Sequence, residues 1–137
     1  MWKRTNKYIE MTRDIDPKKA SWYTTKATSS LEMAKIAIQK EAYDNAVMSA
    51  IHSSINALDA LATFHKAKRA SGQHTDVLVL IKGILDPQEY KDVEKQFKFL
   101  LGLKNVSEYQ PDLMSIKDAE GSIKSAERIF AKVKAKI

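Results

Sequence analysis

Apolar residues recur at spacings of three and four along most of this chain, the signature of amphipathic helices. The final segment carries it most regularly: Ile116, Ala119, Ile123, Ala126, Phe130, Val133 and Ile137. Ser115 opens it with Asp118 three residues on, a weaker form of the capping box. Asp16-Pro17 is an N-cap followed by a first-turn proline, and predicts a helix to about Lys40 with Leu31, Ala34 and Ile38 on one face, Ala27 above them. A second helix is predicted from about Tyr43 to Lys68. Val47, Ile51, Ile55, Leu58 and Ala62 repeat at spacings of four and three, and much of the rest is small, including Ala46, Ala50, Ser53, Ser54 and Ala57. Small residues admit a close neighbour, so this helix is expected at the centre, packed on more than one side.

The polar stretch Ser71-Gly72-Gln73-His74-Thr75-Asp76 is the clearest break. A short apolar segment, Val77 to Leu85, follows. Its helical neighbours and Gly83 before Asp86-Pro87 favour a short helix over a strand. Asp86-Pro87 then starts another long helix with Tyr90, Val93, Phe97, Leu100 and Leu101 as its buried stripe. The expected fold is all-α: an up-and-down bundle of about four long helices plus one short helix. Residues 1–14 are read as an N-terminal arm or short helix, and 15–137 as a single bundle domain.

Composition narrows the chemistry. With 44% hydrophobic residues the chain is globular, and 4 Gly and 3 Pro suit long unbroken helices. The absence of cysteine excludes disulfides, thiolate metal sites and a cysteine nucleophile. There is no glycine-rich phosphate loop and no zinc-ligand spacing, so no metal or cofactor is expected. No apolar run reaches the roughly 20 residues of a membrane span, and the start has no apolar signal core; a soluble cytoplasmic protein without membrane contact is expected. Net charge is +6, and residues 1–40 hold nine Lys/Arg against four acids. A second basic cluster, Arg128, Lys132, Lys134 and Lys136, closes the chain. Such patches attract phosphate, although Lys-rich helix faces are more often simply solvated.

Lys104 continues the stripe of Phe97, Leu100 and Leu101 at i+7, so an apolar face ends in a cation. Asn105, Glu108 and Tyr109 follow it. These four are either the lip of an anion or nucleotide site or ordinary helix-end chemistry. His52, Asn56 and Asp59 share one face of the central helix and form either a polar network or a support for that site. His65 sits among lysines at a helix end, and His74 lies in the polar loop, where it is expected to be solvated.

Tyr43-Asp44-Asn45-Ala46-Val47-Met48-Ser49-Ala50, the loop Gln73-His74-Thr75, and the helix ending Lys104-Asn105-Val106-Ser107-Glu108-Tyr109 occur in an order similar to that of small standalone HEPN-domain proteins over about residues 20–136. The resemblance implies a helical bundle, usually a homodimer, often encoded beside a minimal nucleotidyltransferase. Members with an Arg-Asn-x-x-x-His motif cut RNA without metal; a further branch ends that motif in Asp/Glu-Tyr. This chain resembles the latter, with Lys104 for the arginine, Asn105 as the amide, Glu108 as the acid and Tyr109 where the histidine would stand. A phenol is a poor base at neutral pH, and lysine lacks the bidentate fork that grips phosphate. The resemblance therefore implies a non-catalytic or weakly active module that binds nucleotide, RNA or a partner nucleotidyltransferase, within a toxin-antitoxin-like pair. The alternatives are a toxin-like metal-independent ribonuclease using Tyr109 or His52, and a ligand-free helical scaffold. Glu108, four residues from Lys104, is placed to pair with it.

Overall fold

The computed structural model describes residues 12–137. Among them run five helices: α1 (Ala20–Gln39), α2 (Tyr43–Lys66), the short α3 (Val77–Ile81), α4 (Pro87–Tyr109) and α5 (Ile116–Lys134). The four long ones alternate in direction, which gives the up-and-down bundle. No helix among the described residues is long and apolar enough to cross a membrane.

The central position of α2 follows from two stripes one residue apart. Ala46, Ala50, Ser53, Ala57 and Ala60 form a rail of small side chains, all fully buried. Val47, Ile51, Ser54, Leu58 and Leu61 form the neighbouring rail, also fully buried. The small rail admits α1 and α5: Ala50 clusters with Ala34, Ile123 and Ala126. The Ser53 hydroxyl donates to the Ala27 carbonyl at 2.7 Å across the α1–α2 contact. The large rail meets α3 and α4 in a cluster that includes Leu80, Ile81, Val93, Phe97 and Leu100.

The expected helix starts hold. Asp86 caps α4 through the Glu89 amide (2.8 Å), and Ser115 caps α5 through the Asp118 amide (3.1 Å), each with the reciprocal side-chain bond of a capping box. Asp16 caps too, but over a single 3-10 turn, Pro17–Lys19, after which α1 begins at Ala20. The stripe predicted to run from Ile116 to Ile137 ends with α5 at Lys134; Ile116 at its first residue and Ile137 past its end are exposed, because they lie at the two ends of the bundle.

Two local features differ from the expectation. The helix predicted to reach Lys68 stops at Lys66, because Ala67 turns left-handed (φ 51°). The chain then forms β2 (Lys68–Ala70), which pairs antiparallel with β1 (Thr12–Asp14). So 12–14, expected within an arm or short helix, are a strand; the rest of that segment, 1–11, lies outside the described residues. The Ala67 carbonyl accepts from the Ile15 amide (3.1 Å), which ties the ribbon to the end of α2.

Ala27→Leu, which drives three carbons into the α1–α2 contact, is expected to cost about 1–3 kcal/mol in urea unfolding. Thr28→Leu, exposed one residue on, should stay within about 0.5 kcal/mol. Equal effects would show that the close approach does not hold the pair together.

Candidate functional site

The α4–α5 turn packs beside the start of α2, where the Met114 amide donates to Asp44 Oδ1 at 2.8 Å. That contact places the last turns of α4, with Lys104, Asn105, Glu108 and Tyr109, at the α1–α2 hairpin end of the bundle. Lys104 Nζ donates to Glu108 Oε1 at 2.8 Å, an i,i+4 pair in which the lysine is the more covered partner. A half-exposed pair of this kind contributes only about 0.5 kcal/mol. Tyr109 is 76% exposed, and Asn105 is exposed beside it. The phenol therefore stands in solvent, with no wall of the bundle around it.

The imidazole that reaches this end is His74. The loop before α3 is tied by the Gln73 amide bonding Asp76 Oδ2 (2.9 Å), and it lays His74 within electrostatic reach of Lys104, His52 and Glu108. His74 is surface-exposed, as its loop position implied, yet it is not isolated. Loss of hydration holds its proton affinity below the usual imidazole range. The Lys104 ammonium and then the His52 ring add to this, while Glu108 opposes it. The neutral ring this favours is a potential base. No spacing in the sequence links His74 to Lys104; the loop itself, one of the segments carrying the family resemblance, was the available signal.

The trio on α2 does not act as one group. His52 is exposed and lines a cavity of about 450 Å³ with Met33, Ile36, Lys40 and Met48. The Asn56 amide is spent on the His52 carbonyl of its own helix (2.9 Å). Asp59, two turns on, belongs to the other end of the bundle, in the field of Tyr23 and Arg69. Burial pushes its carboxyl up to about 7, with Arg69 pulling it down. Burial also raises the Tyr23 phenol; Asp59 raises it further and Arg69 opposes. Among the described residues, no three His, Asp or Glu side chains are grouped to hold a metal ion.

Chemically, the Lys104 end offers an ammonium already engaged by a carboxylate, an amide, a solvated phenol and an imidazole close by. It can bind an anion if the anion displaces Glu108. Compared with known protein families, residues 20–136 match the HEPN domain. No curated protein matches the chain.

Two titrations check these placements. The His74 midpoint followed by NMR should rise in Lys104→Met and fall in Glu108→Gln; an unmoved midpoint in both would separate His74 from the pair. A raised folded-state pKa for Asp59 means that stability is fully present below the unfolded value near 3.8 and is lost as pH rises through about 7. Asp59→Asn should therefore match the parent near pH 4 and exceed it by roughly 2–4 kcal/mol at pH 8. A difference that does not change with pH would contradict the buried carboxyl.

Proposed function

The chain belongs to the HEPN-domain family, and from that premise we propose that it is a non-catalytic or weakly active member, which holds nucleotide or RNA at the Lys104–Tyr109 end of α4. The observation that carries the non-catalytic part of this reading is the closed Lys104–Glu108 pair at 2.8 Å, which without a competing anion is a structural contact. Phosphodiester cleavage without metal needs a cation gripping the phosphate and a base positioned on the attacking hydroxyl. Here the cation is shared with a carboxylate, and the side chain at the histidine position is a phenol in open solvent. Binding needs less. A pair worth about 0.5 kcal/mol yields to a phosphate, and Lys104 then contributes a point charge while Asn105 and Tyr109 contribute hydrogen bonds.

The same end favours assembly. Val106, Tyr109, Leu113 and Ile116 are all exposed within one short stretch of sequence around the α4–α5 turn. Clustered exposed apolar side chains mark docking surfaces. The proposal extends to a homodimer, or a complex with a nucleotidyltransferase in a toxin-antitoxin-like pair, formed through this patch. One observation favours ribonuclease action as the second reading: His74, whose neutral form is stabilised, lies near Lys104.

Incubation with labelled RNA in EDTA separates the two. No cleavage above the Lys104→Ala background is expected. Cleavage that disappears in His74→Ala would replace the binding reading with the enzyme. Nucleotide or short RNA should bind more weakly as salt rises. Glu108→Gln, which frees the ammonium, should tighten binding by roughly two- to five-fold. Undetectable binding at low salt in both proteins leaves only a scaffold.

A further inference from the structure

Arg128, Lys132 and Lys136, from the basic cluster that closes the chain, have no part in the Lys104 site and face α4 across a groove. Glu89, Asp92, Gln96 and Phe99 follow one another at i, i+3, i+7 and i+10 along one stripe of α4. Antiparallel to it, α5 presents Ser125, Arg128 and Lys132, with Lys136 just past its end. The first two rungs between the helices are ion pairs. Lys136 Nζ lies 3.4 Å from Glu89 Oε1, and Lys132 Nζ lies 3.9 Å from Asp92 Oδ2. The third rung breaks the ladder. Gln96 stands there, an amide with no charge to set against the Arg128 guanidinium.

Two cavities meet at that rung, and Asp92, Gln96 and Arg128 line both. The larger, of about 560 Å³, extends to Glu89. The smaller, of about 360 Å³, adds Lys95, Phe99 and Ser125. Four groups round the smaller one donate: an ammonium, a guanidinium, an amide and a hydroxyl. Among the described residues neither Lys95 nor Arg128 has an ion pair, and the side chains of Gln96 and Ser125 make no hydrogen bond. The one carboxylate there is committed, since Asp92 accepts from Gln88 at 3.2 Å as well as pairing with Lys132. Phe99 stands at the end remote from Glu89. Its ring is 47% exposed, and its Cζ lies 3.7 Å from where a Cβ on Gly121 would be, so α5 supports it from below.

Unshared donors round a cavity suit an anion, and its chemistry can be narrowed. Glu89 and Asp92 line the groove on one side of Arg128, and Phe99 stands on the other. A chain of phosphates laid along it would run onto carboxylates or onto a ring, so the ligand is compact, as the cavity volume also favours. Two cations match the charge of about −1.5 to −2 on a phosphate monoester better than the single charge of a carboxylate or a phosphodiester. Phe99 offers an apolar surface to whatever carries the phosphate. We propose that the α4–α5 groove is a binding site for a phosphate monoester attached to a flat ring, in which Arg128 and Lys95 hold the phosphate, Gln96 and Ser125 donate to it, and Phe99 packs on the ring. A free small molecule and the terminal phosphate of a nucleic-acid strand present this same chemistry. The site does not rest on the Lys104 reading: Gln96 precedes Lys104 by about 12 Å of helix at 1.5 Å per residue.

The test follows backbone amide shifts of the isotopically labelled full chain on titration with phenyl phosphate to about 20 mM, beside inorganic phosphate and a uridine trimer with hydroxyl ends. Phenyl phosphate is expected to shift residues around Gln96, Phe99, Ser125 and Arg128, and to bind at least about three-fold more tightly than inorganic phosphate. The trimer, which carries only diesters, should leave those residues unmoved. Arg128→Gln, at an exposed position, should weaken phenyl phosphate by about ten-fold or more. Phe99→Ala should bring it down to the level of inorganic phosphate. Gln96→Glu completes the third rung, and should abolish binding with the melting temperature unchanged or raised. Lys18→Gln/Lys117→Gln, exposed lysines elsewhere, should do little. Lys104→Ala should leave the groove shifts in place, so that failure here is distinct from failure at the Lys104 site. A 5′-phosphorylated trimer that shifts the groove assigns the ester to a strand end, and one that does not assigns it to a free small molecule; each supports the site. The proposal is overturned if no groove residue shifts with phenyl phosphate, if Arg128→Gln or Gln96→Glu binds it like the parent, if the two distant lysine changes weaken it as much as Arg128→Gln, if the hydroxyl-ended trimer shifts the groove equally, or if the shifts vanish in Lys104→Ala.

Discussion

The close approach of α1 and α5 to the small rail of α2 is the constraint on which the rest of this structure depends. Ala46, Ala50, Ser53, Ala57 and Ala60 bury no large side chain of their own. They let other helices bring theirs, and the Ser53–Ala27 bond fixes how near α1 comes. Because α2 is packed on several sides, every functional group is held relative to it. Its start anchors the α4–α5 turn through Asp44, and its end anchors the ribbon through Ala67. Two chemically different ends result, separated by the length of the helix.

At the α4 end the electrostatics balance nearly to neutrality: a lysine meets a glutamate, and an imidazole is discouraged from taking up a proton by that lysine. A balanced surface does not concentrate substrate by its field. It is selective only for a group that competes successfully for one partner, as phosphate does for an ammonium. At the ribbon end Arg13 stands opposite Arg69 across two short strands, and burial inclines the Asp59 carboxyl, in the field of Arg69, to stay protonated.

The helices were legible because their burial is periodic. The stripes of α2, α4 and α5, the Asp86 and Ser115 caps and the short α3 were all present in spacing and side-chain chemistry. The HEPN resemblance over about 20–136 coincides with the matched segment. The ribbon was not legible, because three-residue strands are too short to show alternation and the pairing spans 58 positions between Thr12 and Ala70. Nor does alanine announce a left-handed turn, which is why α2 was read past Ala67. His52 and Asp59 looked like one polar face because seven residues bring a helix nearly full circle. Two turns of rise carry Asp59 into the environment of Tyr23 and Arg69, where its carboxyl has a different role. His74 was hidden by its loop, whose path depends on the packing of α3 and not on any local pattern.

The central proposal is that this HEPN bundle holds nucleotide or RNA at the Lys104–Tyr109 end of α4 without cutting it. Backbone amide shifts of isotopically labelled protein, titrated with a short uridine oligomer, test that most directly. The account predicts perturbations gathered at Lys104–Tyr109 and His74, with the oligomer intact at the end of the titration. Perturbations spread along the outer face of α5 instead, or an oligomer found cleaved, would contradict it.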